Sequence, residues 1–250
     1  MAMTGLAGKT AFVSGSGRNI GRAIVLDLAA RGCNVVINGV SDREAAEATA
    51  ADAREHGVEA LVAMGDIGKP ETVREIAEAT LAQFGAIDIL VNNAAIRPAT
   101  PFLEMADEDW HRILDVDLNA AYYACRAFLP GMVETGWGRI VNITGMNAIA
   151  GYTGHSPASV AKHGLWGLTK TLAKEFGPKG VTVNAVSPGP IRVEHSDPAI
   201  TRRIEERKSQ VPLGRLGEPE DIAALTGFLC SEEGGFVSGQ MVGSNGGMQT

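Results

Sequence analysis

Two ionisable groups in this 250-residue chain, Asp117 and Lys162, are the first candidates for chemistry. Asp117 lies within LDVDL, flanked by Val116 and Leu118. Such a setting predicts partial burial, and a buried carboxylate needs a partner. Lys162 stands near the start of a segment whose apolar residues Leu165, Leu168, Leu172 and Phe176 recur at helical spacing. That pattern marks a helix with one buried face. A lone Lys there is ordinarily a solvated surface charge. Proposed as the partner of Asp117, it would make a base–cation pair able to move a proton and to hold developing negative charge. Tyr152 and His155, in the loop before the same helix, are reserve acids. A His of ordinary pKa, about 6.5, can donate a proton at neutral pH. Water or backbone would satisfy either loop side chain equally well. His163 neighbours Lys162 and so points elsewhere on the helix. His56, His111 and His195 lack metal-ligand spacing, and no metal site is expected.

A second chemical feature is the stretch KTAFVSGSGRNIGRAIVLDL, residues 9–28. The apolar run from Thr10 to Val13 predicts a strand, a Gly/Ser-rich turn comes next, and a helix opens at Ile20. Such a turn brings backbone N–H groups and the positive helix end to a pyrophosphate. Gly15 and Gly21 supply dihedrals or close approaches that a Cβ would block.

The elements needed to hold these groups alternate along the chain. Strands are expected at 34–38, 59–63, 87–92, 139–144, 181–186 and 240–242. Helices are expected at 42–56, 71–84, 108–132, from Ala161 onward, and at 219–230. The alternation argues for one α/β domain over residues 1–250, a parallel sheet with helices on both faces. The polar segment 191–212 is a candidate mobile lid. The balance of 22 basic against 29 acidic residues, net −7, offers no basic surface to nucleic acid. No apolar run reaches membrane-spanning length, and the first ten residues lack the regions of a signal peptide. Cys33, Cys125 and Cys230 are far apart with no CxxC. They suit buried thiols in a reducing compartment, and a cytoplasmic location is expected.

Several further pieces stand in order: SGSGRNIG at 14–21, GDI at 65–67, NNAA at 92–95, RIVNIT at 139–144, the Lys162 helix, NAVSPGPI at 184–191 and GRLGEPEDIA at 214–223. With these the chain resembles the short-chain dehydrogenase/reductase family over nearly its whole length. The resemblance implies a doubly wound (Rossmann) sheet of about seven parallel strands binding a nicotinamide nucleotide at its topological switch point. It also implies a homotetramer built through two long helices and the C-terminal strand region. Carried over residue by residue, it assigns Gly15, Arg18, Asn19, Ile20 and Gly21 to the phosphate turn. Asp66 and Ile67 fall to adenine, Asn92 and Ala94 to the cofactor floor, and Pro188, Gly189 and Ile191 to the nicotinamide side. Asn19 replaces a usual glycine, and Val193 stands near a usual Thr. In the family a basic residue in the turn favours the 2′-phosphate of NADP, while an acid ending the second strand favours NAD. Here Arg18 is present, and Gly39, Val40 and Ser41 occupy the other place, with Arg43 close behind. NADP(H) is therefore expected over NAD(H).

The family's usual catalytic set is an Asn, a Ser, a Tyr and a Lys. Lys162 fits the Lys place, where the family uses it for the nicotinamide ribose and for electrostatics. Ala158 stands at the Tyr place, Gly145 at the Ser place and Asp117 at the Asn place. Three chemistries remain open. The first is reduction of a carbon–carbon double bond conjugated to a thioester, with Asp117 delivering a proton through water. In this the site resembles the peroxisomal type of 2,4-dienoyl-CoA reductase. The second is carbonyl reduction with a relocated acid, Tyr152 or His155; the latter matches the Tyr place of bacterial-type enoyl-thioester reductases. The third is a lyase, a hydrolase or a catalytically silent homologue. A small-molecule substrate, an acyl thioester among the candidates, is expected in the first two.

Overall fold

The computed structural model describes residues 5–193 and 198–249. Among them, seven strands form one parallel sheet: β1 (Thr10–Val13), β2 (Asn34–Gly39), β3 (Ala60–Met64), β4 (Ile89–Asn92), β5 (Gly138–Ile143), β6 (Val181–Pro188) and β7 (Met241–Ser244). Their order is β3-β2-β1-β4-β5-β6-β7. Val13 pairs with Ile37 on one side and Val91 on the other. The helices are α1 (Asn19–Ala30), α2 (Arg43–Arg54), α3 (Pro70–Phe84), α4 (Asp107–Leu114), α5 (Ala120–Thr135), α6 (Ser156–Phe176), α7 (Pro198–Glu206) and α8 (Pro219–Cys230). None of the described helices is long and apolar enough to cross a membrane.

Period-two alternation within near-continuous apolar strands sorts the side chains into two cores. Ala11, Val13, Val35, Ile37, Ile89 and Val91 pack with residues of α1, α2 and α8. Phe12, Val36, Leu90 and Ile140 pack on the opposite face with residues of α3 and α5. Both faces are therefore dry, as the hydrophobic strands require.

Two expectations change. The helix expected over 108–132 is broken: α4 ends at Leu114, and a π-helical turn, Asp115–Asn119, leads into α5. One extra residue in that turn rotates α5 relative to α4, and Asn119 Nδ2 closes the turn by donating to Asp115 Oδ1 at 2.8 Å. The helix bearing Lys162 begins earlier than expected, at Ser156, with Pro157 in its first turn. Proline is tolerated there because its missing N–H would lack a helical acceptor anyway. In the candidate lid, residues 194–197 lie outside the described residues. The remainder contains α7 and a 3-10 turn, Arg207–Gln210, and the segment's apolar residues Ile191 and Val211 are buried.

The strand order reverses between β1 and β4, and a hydrogen-bond network closes the C-terminal ends of those strands into a fixed edge. Buried Asn38 on β2 accepts from Gly15 N at 3.2 Å and donates to the carbonyls of Ala63 at 3.0 Å and Gly65 at 3.1 Å. Ser14 Oγ accepts from Asn93 N at 3.0 Å and Ala94 N at 3.1 Å. Asn93 Nδ2 returns bonds to the carbonyls of Ser14 and Gly15, both at 2.9 Å. The glycine turn is thus tied to β2 and β4 rather than left as a free loop. Asn38→Ala would strand one buried donor and two acceptors. It should lower stability by about 2–4 kcal/mol in urea unfolding and weaken nucleotide binding in parallel.

Candidate functional site

The phosphate turn is built for close approach. Helix α1 starts after Arg18, whose backbone is extended, with no capping side-chain bond and no acid in its first turn. Its positive end is therefore not neutralised by a carboxylate and suits an anion. Gly15 has φ +60, and a Cβ there would lie 2.9 Å from the Cα of Ala94; at Gly21 one would run into the Gly15 carbonyl and the Asn93 amide. Asn19 takes φ +50, the one positive value among described non-glycine residues. The usual glycine is replaced by a residue that tolerates this conformation. These features fit a dinucleotide pyrophosphate, with Gly15, Asn19, Ile20 and Gly21 as its cradle.

Beyond β2 the structure adds a carboxylate that the spacing did not bring forward. Asp42 accepts from Ala45 N at 3.0 Å, capping α2, and from Arg18 Nη2 at 3.1 Å. Both side chains of that pair are about half exposed or more. Ser41 is exposed beside them, and Arg43 pairs along its own helix with Glu47 at 3.4 Å. Asp66 accepts from Gly68 N at 3.0 Å and pairs with Arg112 of α4, also at 3.0 Å, while Ile67 is buried. Asn92 Nδ2 donates to Asn142 at 2.8 Å, and Asn142 donates onward to Thr169 of α6, also at 2.8 Å. The polar groups of Asp66 and Asn92 thus already serve the scaffold. Gly189 N bonds to Ser244 O at 3.0 Å, joining the ends of β6 and β7. Ile191 bridges to Gly217, next to Pro190 and three residues beyond Pro188.

Lys162 and Asp117 do meet. Nζ lies 3.6 Å from Asp117 Oδ2, and both residues are buried, at 1% and 3% exposure. Nζ also donates to the carbonyl of Ile143, at the end of β5, at 3.1 Å. Asp117 Oδ1 accepts from Ile96 N at 2.8 Å, whereas Oδ2 has no hydrogen-bond partner. An ammonium carries three donors, so the pair keeps donor capacity on Lys162 beside a free acceptor on Asp117. A hydroxyl or a water held between them would both receive and give a hydrogen bond. Burial pushes the Lys162 ammonium down from its ordinary range to about 8, opposed by the charge of Asp117 and reinforced by Arg97.

The positions around the pair are small. Ala158, one helical turn before Lys162, is buried at 1% exposure. Gly145 has φ +91 and open space around its Cβ direction. Any side chain there would be strained by the backbone rather than by crowding. Tyr152 is half-buried in the loop, and His155 is the N-cap residue of α6. Seven residues along an α-helix is about 10 Å, so His155 belongs to the mouth of the site and not to the Lys162–Asp117 contact. Among the described residues no cluster of three His, Cys, Asp or Glu can hold a metal ion.

Comparisons with known proteins agree with this architecture. The family model described as enoyl-(acyl carrier protein) reductase matches residues 15–249. The 3-oxoacyl-acyl-carrier-protein reductase FabG of Aquifex aeolicus is 39% identical over 244 residues, covering 97% of this chain and 98% of that protein. The corresponding reductase of Synechocystis is 37% identical, covering 98% and 99%. Among solved structures, a putative short-chain alcohol dehydrogenase from Sinorhizobium meliloti superposes with a TM-score of 0.92 at 28% identity, covering 98% of each chain. A putative gluconate dehydrogenase from Agrobacterium tumefaciens gives 0.91 at 31%, covering 99% and 98%. With a matching family model over most of its length and relatives above 30% identity, the chain belongs to the short-chain dehydrogenase/reductase family of NAD(P)-dependent oxidoreductases.

Proposed function

We propose that the protein is an NADP(H)-linked oxidoreductase interconverting a carbonyl and an alcohol on a small molecule, with the Lys162–Asp117 pair managing the proton. The carrying observation is that pair: buried, in contact, and left with a donor on one member and an acceptor on the other. Reduced nicotinamide nucleotide, when bound, supplies the hydride. Lys162 holds the nucleotide's ribose and offers an N–H to the carbonyl oxygen as it gains charge. With its pKa lowered to about 8, Lys162 is matched to giving up a proton near neutrality, directly or through a bound water. Asp117 holds Lys162 in its charged form and accepts from the water that restores the proton. The names of the relatives, reductases of 3-oxoacyl groups and dehydrogenases of alcohols, support this chemistry, an acyl thioester being one candidate substrate. The free, buried cysteines support a cytoplasmic setting. Exposed Tyr122 on α5 and Val160 on α6 support a homotetramer assembled through those helices.

Reduction of a conjugated enoyl or dienoyl thioester is the second reading. It is favoured by Ala158 and Gly145, which remove the hydroxyl groups that carbonyl reduction ordinarily uses, and by the description of the matching family model. Tyr152 and His155 remain the donors for a relocated-acid version of the first.

Arg18 supports NADP(H) because its pair with Asp42 is solvent-exposed. Exposed pairs contribute only about 0.2–1 kcal/mol, so a 2′-phosphate can displace Asp42 at little cost. Arg18→Ala should weaken NADPH binding about tenfold in calorimetric titration and leave NADH binding nearly unchanged; equal loss of both would rule out 2′-phosphate recognition.

Because Lys162 acts in its protonated form, the reductive kcat should fall as pH rises through about 8. The Asp117 anion raises the Lys162 pKa. Asp117→Asn should therefore move that falling limb to lower pH and reduce the rate at pH 8 by about tenfold or more. A pH–rate profile unmoved by the substitution would contradict the assignment.

A further inference from the structure

Arg97 has no part in the roles given to Lys162, Asp117 and Arg18. It lies on the loop after β4, whose backbone is fastened on both sides of it. Asn93 and Ala94 are held by Ser14 Oγ at 3.0 and 3.1 Å, Ile96 N by Asp117 Oδ1 at 2.8 Å, and Thr100 N by the Gly154 carbonyl at 2.9 Å. Pro98 comes directly after and restricts Arg97 to extended backbone. Adjacent Cα atoms are about 3.8 Å apart, so the Arg97 backbone begins one residue from the amide that touches the catalytic carboxylate. The Thr100–Gly154 bond also brings this loop against the one carrying Tyr152 and His155, across the mouth of the site.

At that place stands an exposed guanidinium that makes no ion pair or hydrogen bond with the described residues. Its charge is felt at Lys162, where it opposes protonation. The small crevice at the pair is otherwise lined by uncharged residues, among them Ile67, Asn92 and Leu165. Lys162, Arg97 and Asp117 together give the site a net positive charge. An exposed arginine fork on the loop beside the pair, with no anionic partner among the described residues, is suited to a planar bidentate anion.

We propose that Arg97 is a specificity-determining residue that binds a carboxylate of the substrate, placed a few bonds from the carbon that exchanges hydride. The substrate class is accordingly an oxo acid or the matching hydroxy acid. This rests on the carbonyl–alcohol reading and narrows its substrate. The pyrophosphate is served at the far side of the crevice, by the turn around Gly15 and Gly21, so Arg97 is not required for the nucleotide.

The test is calorimetric titration of the protein, saturated with NADP+, with pyruvate, acetoacetate and levulinate. Each acid is compared with its primary amide and, in a separate arm, with methyl phosphate. At least one acid should bind about tenfold or more tighter than its amide. Arg97→Gln should erase the difference, Arg97→Lys should keep part of it, and NADPH affinity should stay the same in both variants. Acids binding no better than amides in the unmodified protein would overturn the proposal. So would loss of NADPH affinity in Arg97→Gln, or a preference for methyl phosphate over every acid. NADPH oxidation is monitored in parallel samples in which NADPH replaces NADP+ and the same acids are added. Acid preference dependent on Arg97 without any oxidation would retain the anion site and remove the redox reading instead.

Discussion

The central constraint in this molecule is the burial of a lysine charge. Moving an ammonium out of water costs several kcal/mol unless a counter-charge and hydrogen bonds compensate. Three separately built pieces provide that compensation for Lys162. Strand β5 ends so that the Ile143 carbonyl meets Nζ, and the π-turn ahead of α5 presents Asp117. The loop after β4 fixes that carboxylate through the Ile96 amide. Each depends on the sheet register, because β4 and β5 must end level for the loop amide and the carbonyl to reach one side-chain pair. The compensation is incomplete, since Oδ2 keeps an open acceptor. An incompletely satisfied buried pair is costly for stability and useful for proton chemistry.

The nucleotide crevice obeys a different logic. Its edge is made rigid by amide side chains, Asn38 and Asn93, and by Ser14, each bonding backbone groups of neighbouring strands. The surface facing the ligand is backbone and helix end, unobstructed because Gly15 and Gly21 carry no Cβ. At the rim stands the exposed Arg18–Asp42 pair, where exchange for a ligand group costs little. A rigid edge and an exposed charged rim are the two features this crevice combines.

The alternation of strands and helices was legible because parallel strands buried on both faces are almost purely apolar, and helices carry a 3.6-residue stripe. Lys162 was legible through its register with the family motif, and Asp117 through its place between Val116 and Leu118, where a buried carboxylate needs a partner. The π-turn was not, since one extra residue leaves the apolar spacing of 108–132 nearly intact. Asn38 was hidden for a similar reason: within NVVIN it looks like the end of a strand, and only the fold shows that its amide reaches Gly15, Ala63 and Gly65. Asp42 was equally hidden because its role as a helix cap is local, whereas its contact with Arg18 spans 24 residues. Long-range polar contacts leave no periodic trace in a sequence.

Selective 15N labelling of lysine side chains would read the buried pair directly, by tracking each Nζ resonance through a pH titration. One lysine, identified by its loss in Lys162→Met, should titrate near 8. In Asp117→Asn the same resonance should titrate lower still. A Lys162 whose titration is not lowered from the ordinary lysine range and is indifferent to Asp117 would mean that the charge is solvated and that the pair is not the centre of the chemistry.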